Sequence, residues 1–310
     1  DGDSLGSALA LEEILGDLGK KVSLYCDVEM PKYLRYISGW DRVTQDFDTS
    51  ADLAIIVDTS SDTLIGKALQ IPGARHFLDT HPVLVIDHHH ETESTLSFEH
   101  TQLIIEAGAS TQVIHDLAEA SGWTINPQAA EDLLAGLLSD TLGLSTQNVG
   151  EATYVVAAKL AALGASPATI EERRREFMKK SADILKYKGI LIERIEYFLE
   201  GKLAVIRIPW EEIQQYSDQY NPSVLVLDEM RLVEGVEIGV AIKTYPDGKL
   251  TGKLRSNLPI STTIAGFFGG GGHPYAAGFR VYESIDKIIP ELIDATDKAI
   301  KGHSDGNPTT

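Results

Sequence analysis

The sequence predicts an α/β protein, with a doubly wound parallel sheet in a first domain and a smaller mixed α/β domain after it. Two apolar segments, residues 53–57 and 83–86, are typical of buried strands, and each runs directly into an acidic residue. Segments with helical spacing lie between and after them, which is the order of βαβ units. After residue 202 the pattern changes to alternating strands and turns, which indicates a second sheet.

Composition limits the function of this 310-residue chain, which carries 46 acidic and 27 basic residues and a net charge of −19. So acidic a protein is not expected to bind long duplex DNA, because that requires a broad basic surface. Cys26 is the one cysteine, which excludes an internal disulfide and favours a reducing, cytoplasmic location. No uncharged run approaches the length of a membrane span, so we expect no membrane partner.

The second apolar segment ends in Asp87-His88-His89-His90. A carboxylate and imidazoles at the end of a buried strand are costly unless something pairs with them, and a divalent cation accepts both kinds of ligand. The first apolar segment ends in Asp58, and ligands gather at the carboxyl ends of parallel strands. The alternatives are a polar surface turn for the histidines and a helix N-cap for Asp58.

The chain opens on Asp1-Gly2-Asp3, two acids placed just before a helix. Such a pair can place its carboxylates on adjacent metal ions, or it can be a flexible acidic terminus or a helix cap. No strand leads into this motif, so we expect a further β-strand upstream of Asp1. A third isolated acid, Asp140, follows the apolar stripe of a helix predicted over residues 127–138.

Periodicity and turn signals predict the other elements. The predicted strands cover residues 21–26, 203–208, 236–244 and 249–255, and the predicted helices cover 31–37, 62–69, 110–121, 152–163 and 262–268. A long helical segment carries three consecutive arginines at 173–175, which we interpret as a solvated helical face. The predicted organisation is a first domain over residues 1–165, a helical linker over 166–198, a second domain over 199–300 and a tail over 301–310.

Four consecutive glycines, at positions 269–272, precede His273. Ordering them costs conformational entropy. Contacts with a ligand can compensate this cost where the backbone approaches the ligand closely and turns its N–H groups toward an anion. His273 and Arg255 could add positive charge there. The alternative is a flexible hinge or turn, and we favour the anion site.

These residues resemble the motifs of the DHH phosphoesterase superfamily, which takes its name from an Asp-His-His motif, here Asp87-His88-His89. The other matches are Asp1-Gly2-Asp3 with the end of the first motif, Asp58 with the second, Asp140 with the fourth, and Arg255-Ser256-Asn257 and residues 269–278 with the DHH-associated domain. Within the superfamily, the sequence resembles the branch of nano-RNases and pAp phosphatases. Those enzymes cleave very short oligoribonucleotides and remove phosphate from 3′-phosphoadenosine 5′-phosphate (pAp).

The resemblance implies an enzyme, a phosphoesterase that uses two Mn²⁺ ions, for which Mg²⁺ or Co²⁺ could substitute. Asp58 would bridge the ions and act in catalysis, His89 would contact the reacting phosphate, and Asp87 would orient an imidazole. One ion would also need a histidine four residues upstream of Asp1. The implied metal ligands are Asp1, Asp3, Asp58, His88 and Asp140.

The implied substrates are short single-stranded RNA, dinucleotides or pAp, and a homodimer is a further expectation. The implied substrate-binding residues are Arg255, Ser256, Gly270, Gly271, Gly272 and His273. Rival functions are a cyclic or linear dinucleotide phosphodiesterase, a manganese pyrophosphatase, which the Arg-Ser-Asn and glycine elements disfavour, and a non-catalytic nucleotide-binding protein that kept the fold. The fourth motif departs from the branch pattern Asp-Thr-Gly, because the chain has Asp140-Thr141-Leu142-Gly143. This leaves the shape of that loop open.

Overall fold

The computed structural model describes residues 1–89 and 94–304, and the chain divides into two compact units, Asp1–Lys179 and Lys180–Thr310. The predicted α/β class is confirmed, since unit 1 contains a parallel three-stranded sheet and unit 2 a separate mixed sheet. The division between the units falls inside the segment predicted as a helical linker. His90 and the last six residues of the predicted tail lie outside the described part of the chain.

Unit 1 is built around three parallel strands in the order β1-β2-β3. They are Ala54–Val57 (β1), Val83–Asp87 (β2) and Thr101–Ile104 (β3). The N–H of Asp58 donates to the carbonyl of Ile86 at 2.9 Å, so the pairing of β1 with β2 continues to the edge where the predicted site begins. The sequence pattern does not predict β3, because four residues are too short for a clear alternation.

Helices pack on this sheet and on one another. Those of unit 1 are Gly2–Asp17 (α1), Gly66–Leu69 (α2), Pro72–Thr80 (α3), Ser110–Ser121 (α4), Pro127–Asp140 (α5), Glu151–Ala162 (α6) and Pro167–Phe177 (α7). A Cβ on Gly6 would stand 2.5 Å from the carbonyl oxygen of Asp132, so glycine permits the close contact of α1 with α5. Gly2 meets Ser139 while Gly6 meets Asp132, so the two helices run antiparallel and the start of α1 lies against the end of α5.

The strand predicted over residues 21–26 is wrong. Within it, Tyr25 forms an isolated parallel bridge with Thr44, and no ladder continues from it among the described residues. Leu24 is buried and Val22 packs on the same core. The alternation of apolar residues therefore reflects packing of their side chains into the unit 1 core, not membership of a sheet.

Unit 2 contains six strands in the order β4-β5-β6-β7-β9-β8. They are Glu196–Phe198 (β4), Leu203–Ile208 (β5), Ile238–Thr244 (β6), Leu250–Ser256 (β7), Gly271–His273 (β8) and Ala276–Val281 (β9). β5 pairs with β6 in parallel, and the other neighbours are antiparallel. The predicted hairpin of β6 with β7 is present. The prediction that the helical segment continues to residue 198 is wrong, because α8 ends at Glu193 and residues 196–198 form β4.

Helices cover the two faces of this sheet. They are Ala182–Glu193 (α8), Trp210–Tyr216 (α9), Pro222–Arg231 (α10), Ser261–Phe267 (α11) and Ile285–Ser304 (α12). One face packs on α11 and α12, and the other packs through β5 and β6 on α8, α9 and α10. Since α12 includes residues 301–304, the predicted tail is wrong for those four residues.

The helices were also compared with the length and hydropathy that a membrane span requires. Among the described residues, no single helix is long and apolar enough to cross a membrane. α6 and α7 reach that length and composition when they are counted together, and they meet at a 90° bend.

Candidate metal centre

Acidic and histidine side chains meet at the carboxyl edge of the unit 1 sheet. The Nε2 atom of His88, just after β2, lies 3.7 Å from Oδ1 of Asp58, which follows β1. It also lies 3.6 Å from Oδ2 of Asp140, the last residue of α5. Potential ligand atoms of Asp3, His88 and Asp140 lie within 4.8 Å of one another, and those of Asp58, His88 and His89 do the same. The structure thus brings together five of the residues that the sequence predicts for the site.

The ring of His88 is oriented for ligation. Its Nδ1 lies 3.2 Å from the carbonyl oxygen of Ala107, and a carbonyl can only accept, so Nδ1 carries the proton. Nε2 therefore presents its lone pair on the side of Asp58 and Asp140. A backbone carbonyl on the remote nitrogen is the usual way in which a metal-ligating imidazole is held.

Asp3 lies in the first turn of α1 and is only 1% exposed. Its Oδ2 accepts the N–H of Ser110 at 2.6 Å, and its Oδ1 accepts the N–H of Thr111 at 3.0 Å. Both N–H groups belong to the start of α4, where the N-cap residue Ala109 supplies no capping side chain. Asp3 therefore caps α4 from a different helix, and the positive end of that helix supports its negative charge.

Asp58 has a strained backbone conformation and a carboxyl group with a raised pKa. Its backbone has a φ of +63°, in the left-handed region that costs a non-glycine residue about 1–2 kcal/mol. Its side chain is 5% exposed, and burial, followed by the charge of Asp3, raises the pKa of the Asp58 carboxyl to about 8. The hydroxyl of Ser110 donates to its Oδ1 at 2.9 Å and opposes that rise. Carboxylates crowded in this way are stable together when a bound cation offsets their charge.

Asp87 and His89 form a second hydrogen-bonded pair at the end of β2. The buried Oδ1 of Asp87 lies 2.7 Å from Nδ1 of His89 and also accepts the backbone N–H of His88 at 2.8 Å. Burial by itself raises the pKa of Asp87, but the hydrogen bonds that it accepts outweigh burial and lower that pKa. In return, the bond to Asp87 is the main cause of a raised pKa at His89. Because its Nδ1 is occupied and its ring is 43% exposed, His89 can offer its Nε2 to a substrate.

This donor set fits divalent cations. Three carboxylates offset most of the charge of two such ions and the imidazole adds a neutral donor, and a mixture of oxygen and nitrogen donors suits Mn²⁺, Mg²⁺ or Co²⁺ better than a thiolate-seeking metal. The raised pKa of Asp58 supports the same conclusion, because burial and then the charge of Asp3 disfavour its carboxylate, and a bound cation would offset both effects. The helix-cap alternative for Asp58 is not what the structure shows, since the helix that follows, α2, begins at Gly66 and has Ile65 as its N-cap.

Asp1 belongs to neither group of potential ligands. It is exposed and serves as the N-cap of α1, where its Oδ1 accepts the N–H groups of Asp3 and Ser4, each at 3.1 Å. This is the helix-cap role that the sequence also allows. As a metal ligand, Asp1 stays a prediction.

The loop after Asp140 forms a glycine-like turn at a leucine. Leu142 has a φ of +48° and is 72% exposed, so packing does not hold it in the left-handed region. The hydroxyl of Thr141 donates to the carbonyl of Leu137 at 2.5 Å and accepts the N–H of Leu144 at 3.0 Å. These two bonds tie both sides of the turn to α5, so the loop is held although leucine replaces glycine there.

The predicted substrate-binding residues lie in unit 2. Arg255 and Ser256 are neighbours on β7 and face opposite sides of the sheet. Arg255 is half-buried, and its Nη1 donates to the carbonyl of Leu254 at 2.9 Å. Ser256 is buried, and its hydroxyl donates to the carbonyl of Leu258 at 2.5 Å. Arg255 thus keeps donors for an anion, whereas the hydroxyl of Ser256 supports the turn after β7.

The glycine run forms the hairpin of β8 with β9. A Cβ on Gly270 would stand 2.2 Å from the carbonyl oxygen of Gly278, and Gly272 has a φ of +143°, so close pairing requires glycine at both positions. A Cβ on Gly271 would meet open space, so packing does not explain that glycine. The side chain of His273 lies outside the described part of the structure.

Sequence reasoning missed the start of α4, which holds the acids in place. Ser110 and Thr111 hydrogen-bond to Asp3, and Ser110 also reaches Asp58. These contacts join residues 107, 108 and 52 positions apart, so no local pattern could have indicated them. The weak signal available is the run of small residues just before a predicted helix.

Residues 1–138 match the family model described as "DHH family, N-terminal domain". The matched range contains Asp3, Asp58, His88 and His89, and it ends two residues before Asp140. The chain contains a DHH domain. The predicted resemblance to the DHH superfamily is therefore confirmed.

Similarity to known proteins extends beyond the DHH domain. The chain is 23% identical over 299 residues to the "Bifunctional oligoribonuclease and PAP phosphatase NrnA" of Bacillus subtilis, covering 94% of this chain and 90% of the relative. It is 25% identical over 302 residues to the protein of the same name from Thermus thermophilus, covering 95% and 86%. The DHH domain and these relatives confirm the predicted enzyme class, a phosphoesterase hydrolase.

A solved structure has a similar fold. The crystal structure of an "exopolyphosphatase-related protein" from Bacteroides fragilis gives a TM-score of 0.82 at 20% identity, covering 96% of this chain and 89% of that chain. At this identity, the likeness concerns the fold alone.

Proposed function

We propose that this DHH-domain protein uses divalent cations, with Mn²⁺ as the best activator, to hydrolyse short oligoribonucleotides and pAp. The observation that carries the proposal is the convergence of Asp3, Asp58 and Asp140 around His88, a crowding of acids that bound cations would relieve. The names of the Bacillus and Thermus relatives support the choice of substrates. The net charge of −19 agrees with short substrates, since long polyanions would be repelled.

Asp3, His88 and Asp140 would hold one cation, and Asp58 would contribute to both. Two such ions supply, when bound, a water of lowered pKa and compensation for the charge of a phosphate. The chain itself holds each ligand in place: Ala107 fixes the ring of His88, and the start of α4 fixes Asp3. The ligands therefore need little rearrangement when the ions bind.

His89 would act on the reacting phosphate. The bond to Asp87 raises its pKa, so its ring is protonated over a wider pH range than that of an ordinary histidine. With Nδ1 donating to Asp87, the Nε2–H can donate to a phosphate oxygen as negative charge develops there. Asp87 is then a positioning residue, because it acts through His89.

In unit 2, Arg255 would bind a substrate phosphate, since a guanidinium can grip phosphate with two donors at once. The backbone N–H groups near Gly271, together with His273, would add to that site. Ser256 would support the turn from which Arg255 extends. A homodimer and a cytoplasmic location stay predictions.

A substrate panel tests the proposal. The metal-free protein would be assayed with Mn²⁺, Mg²⁺ or Ca²⁺ against pAp, pApA, a short single-stranded RNA, cyclic dinucleotides and pyrophosphate. We expect hydrolysis of pAp and of the short RNA, fastest with Mn²⁺ and lost in EDTA. Asp58→Asn should abolish it, while Asp41→Asn, an exposed acid of the same unit, should not. Exclusive turnover of pyrophosphate, or full activity in EDTA, would refute the proposal.

A further inference from the structure

One face of the unit 2 sheet carries basic residues that the proposed function does not use. On β7, Leu254 packs into the core shared with α12, so Lys253 and Arg255 point to the other face. On β9, Phe279 packs into the same core, so Arg280 also points away from it. These cations therefore share the face opposite α11 and α12, which packs through β5 and β6 on α8, α9 and α10.

Lys243 completes the group. It lies on β6 next to Ile242, which packs into the α12 core, so Lys243 faces the same side as the other three cations. Lys243 and Arg280 both pair with Thr251, from opposite neighbouring strands. Lys253, two residues after Thr251, is a diagonal neighbour of both, about 7–8 Å away. We call Lys243, Lys253, Arg255 and Arg280 the cation strip.

The cation strip has no counter-ion among the described residues. The chain has eleven arginines, and nine of them form a salt bridge with an acid; Arg255 and Arg280 are the two that do not. Lys253 forms no salt bridge either, and the ammonium of Lys243 donates to the neutral amide of Asn221 at 2.8 Å. In a chain with 46 acids, this cannot be explained by a shortage of acidic partners.

Burial and the neighbouring positive charges lower the pKa values of the two lysines of the cation strip. Lys243 is only 8% exposed, and burial, followed by the charge of Lys253, lowers its pKa to about 8. Desolvation and then the charge of Arg255 lower the pKa of Lys253. The residues that pair with Lys253 across the sheet are Ala241 and Gly278, so little side-chain volume separates the cations. An anion lying beside Lys253 and Arg280, the exposed members of the group, would relieve the repulsion.

We propose that the cation strip binds the phosphodiester backbone of an oligonucleotide, with Lys253 and Arg280 contacting phosphates beyond the one held by Arg255. This inference rests on the proposed function and deepens it. A polyanion that meets several cations gains affinity by releasing its counter-ions. A single nucleotide such as pAp offers no further backbone, so the strip favours oligonucleotides over pAp.

The test compares an oligonucleotide with pAp in matched variants. Lys253→Gln, Arg280→Gln and the double variant would be measured beside Lys202→Gln, a lysine of the same unit that lies outside the strip and forms no salt bridge. For a single-stranded RNA of about five nucleotides, we expect each strip variant to lower kcat/KM about 10-fold through KM, and to reduce the salt dependence by about one ion per cation removed. Turnover of pAp should stay within about two-fold of wild type in all variants.

A second measurement does not depend on turnover. Binding of the same labelled RNA to the metal-free protein in EDTA, followed by fluorescence anisotropy, should weaken about 10-fold per strip variant and stay unchanged in Lys202→Gln. Equal losses for RNA and pAp, or unchanged RNA binding, would overturn the cation strip. If the wild-type protein hydrolyses neither substrate while its RNA binding still depends on Lys253 and Arg280, the proposed function fails and the strip stands.

Discussion

Replacing Asp58 with asparagine tests two effects of the crowded acids separately: the loss of stability without metal and the binding of metal. Asparagine keeps the shape of the side chain, can accept the hydrogen bond from Ser110, and tolerates a φ of +63° better than most residues. The substitution removes one buried negative charge. We therefore expect Asp58→Asn to make the metal-free protein more stable and the metal-loaded protein inactive.

The size of the gain follows from the pKa of Asp58, which is raised to about 8. A carboxyl whose pKa is raised by folding destabilises the folded state as the pH rises above its unfolded pKa near 4, and the full cost is present above about pH 8. About four pKa units at about 1.4 kcal/mol each give a ceiling of about 6 kcal/mol. Since Asp58 titrates together with a neighbouring group, we expect about half of that, about 3 kcal/mol.

Urea unfolding in EDTA and in Mn²⁺ would measure both effects. In EDTA, Asp58→Asn should be about 3 kcal/mol more stable than wild type near pH 8.5, and the difference should fall below about 1 kcal/mol near pH 5. Mn²⁺ at about 100 times its dissociation constant should add about 2.7 kcal/mol to wild type and far less to the variant. Asp41→Asn should match wild type throughout.

Two results would contradict this reasoning. A variant that is less stable than wild type in EDTA near pH 8.5 would show that burial and neighbouring charge do not destabilise the carboxylate of Asp58. Equal stabilisation of both proteins by Mn²⁺ would show that Asp58 is not a ligand, whatever its effect on activity.

Three further changes test other parts of the site. Asp87→Asn should lower the pKa of His89, so the loss of activity with rising pH should occur about one unit lower; an unmoved pH profile would remove His89 as the protonated group. Arg255→Ala should reduce kcat/KM for pAp about 10- to 100-fold, and unchanged kinetics would place Arg255 outside the substrate site. Leu142→Gly should raise the free energy of unfolding by about 1 kcal/mol, because glycine adopts a positive φ without strain. Leu64→Gly should lower it, because Leu64 is also exposed but has no positive φ. A change of the same sign in both variants would refute the strain at Leu142.

Much of the candidate centre could be predicted because its residues follow apolar segments. Asp58 and His88 each directly follow an apolar strand, and parallel pairing places both at one edge of the sheet. Asp140 ends a helix with a clear apolar stripe. Residue type and local periodicity suffice for such positions, since both are properties of a short stretch of chain.

Other parts of the site depend on contacts that no short stretch contains. The sequence leaves open whether Asp3 is a ligand or a cap, and in the structure it both joins the acids and caps α4. Close packing of α1 on α5 requires Gly6, and close packing of α5 on α4 requires Gly136, where a Cβ would stand 2.5 Å from the side chain of Thr111. The sequence alone does not indicate the packing role of these glycines, because that role depends on which helix each of them faces.

By itself, the sequence determined the α/β class, the superfamily and most of the residues that the structure brings together in the candidate metal centre, because these follow from residue type and local spacing. Only the tertiary structure decided that Asp1 caps a helix outside the metal groups, that the segment over residues 21–26 pairs with no neighbouring strand as a ladder, and that Lys253 and Arg280 share a face without counter-ions. Each of these depends on which distant segments pack together, and burial and charge pairing are set only then.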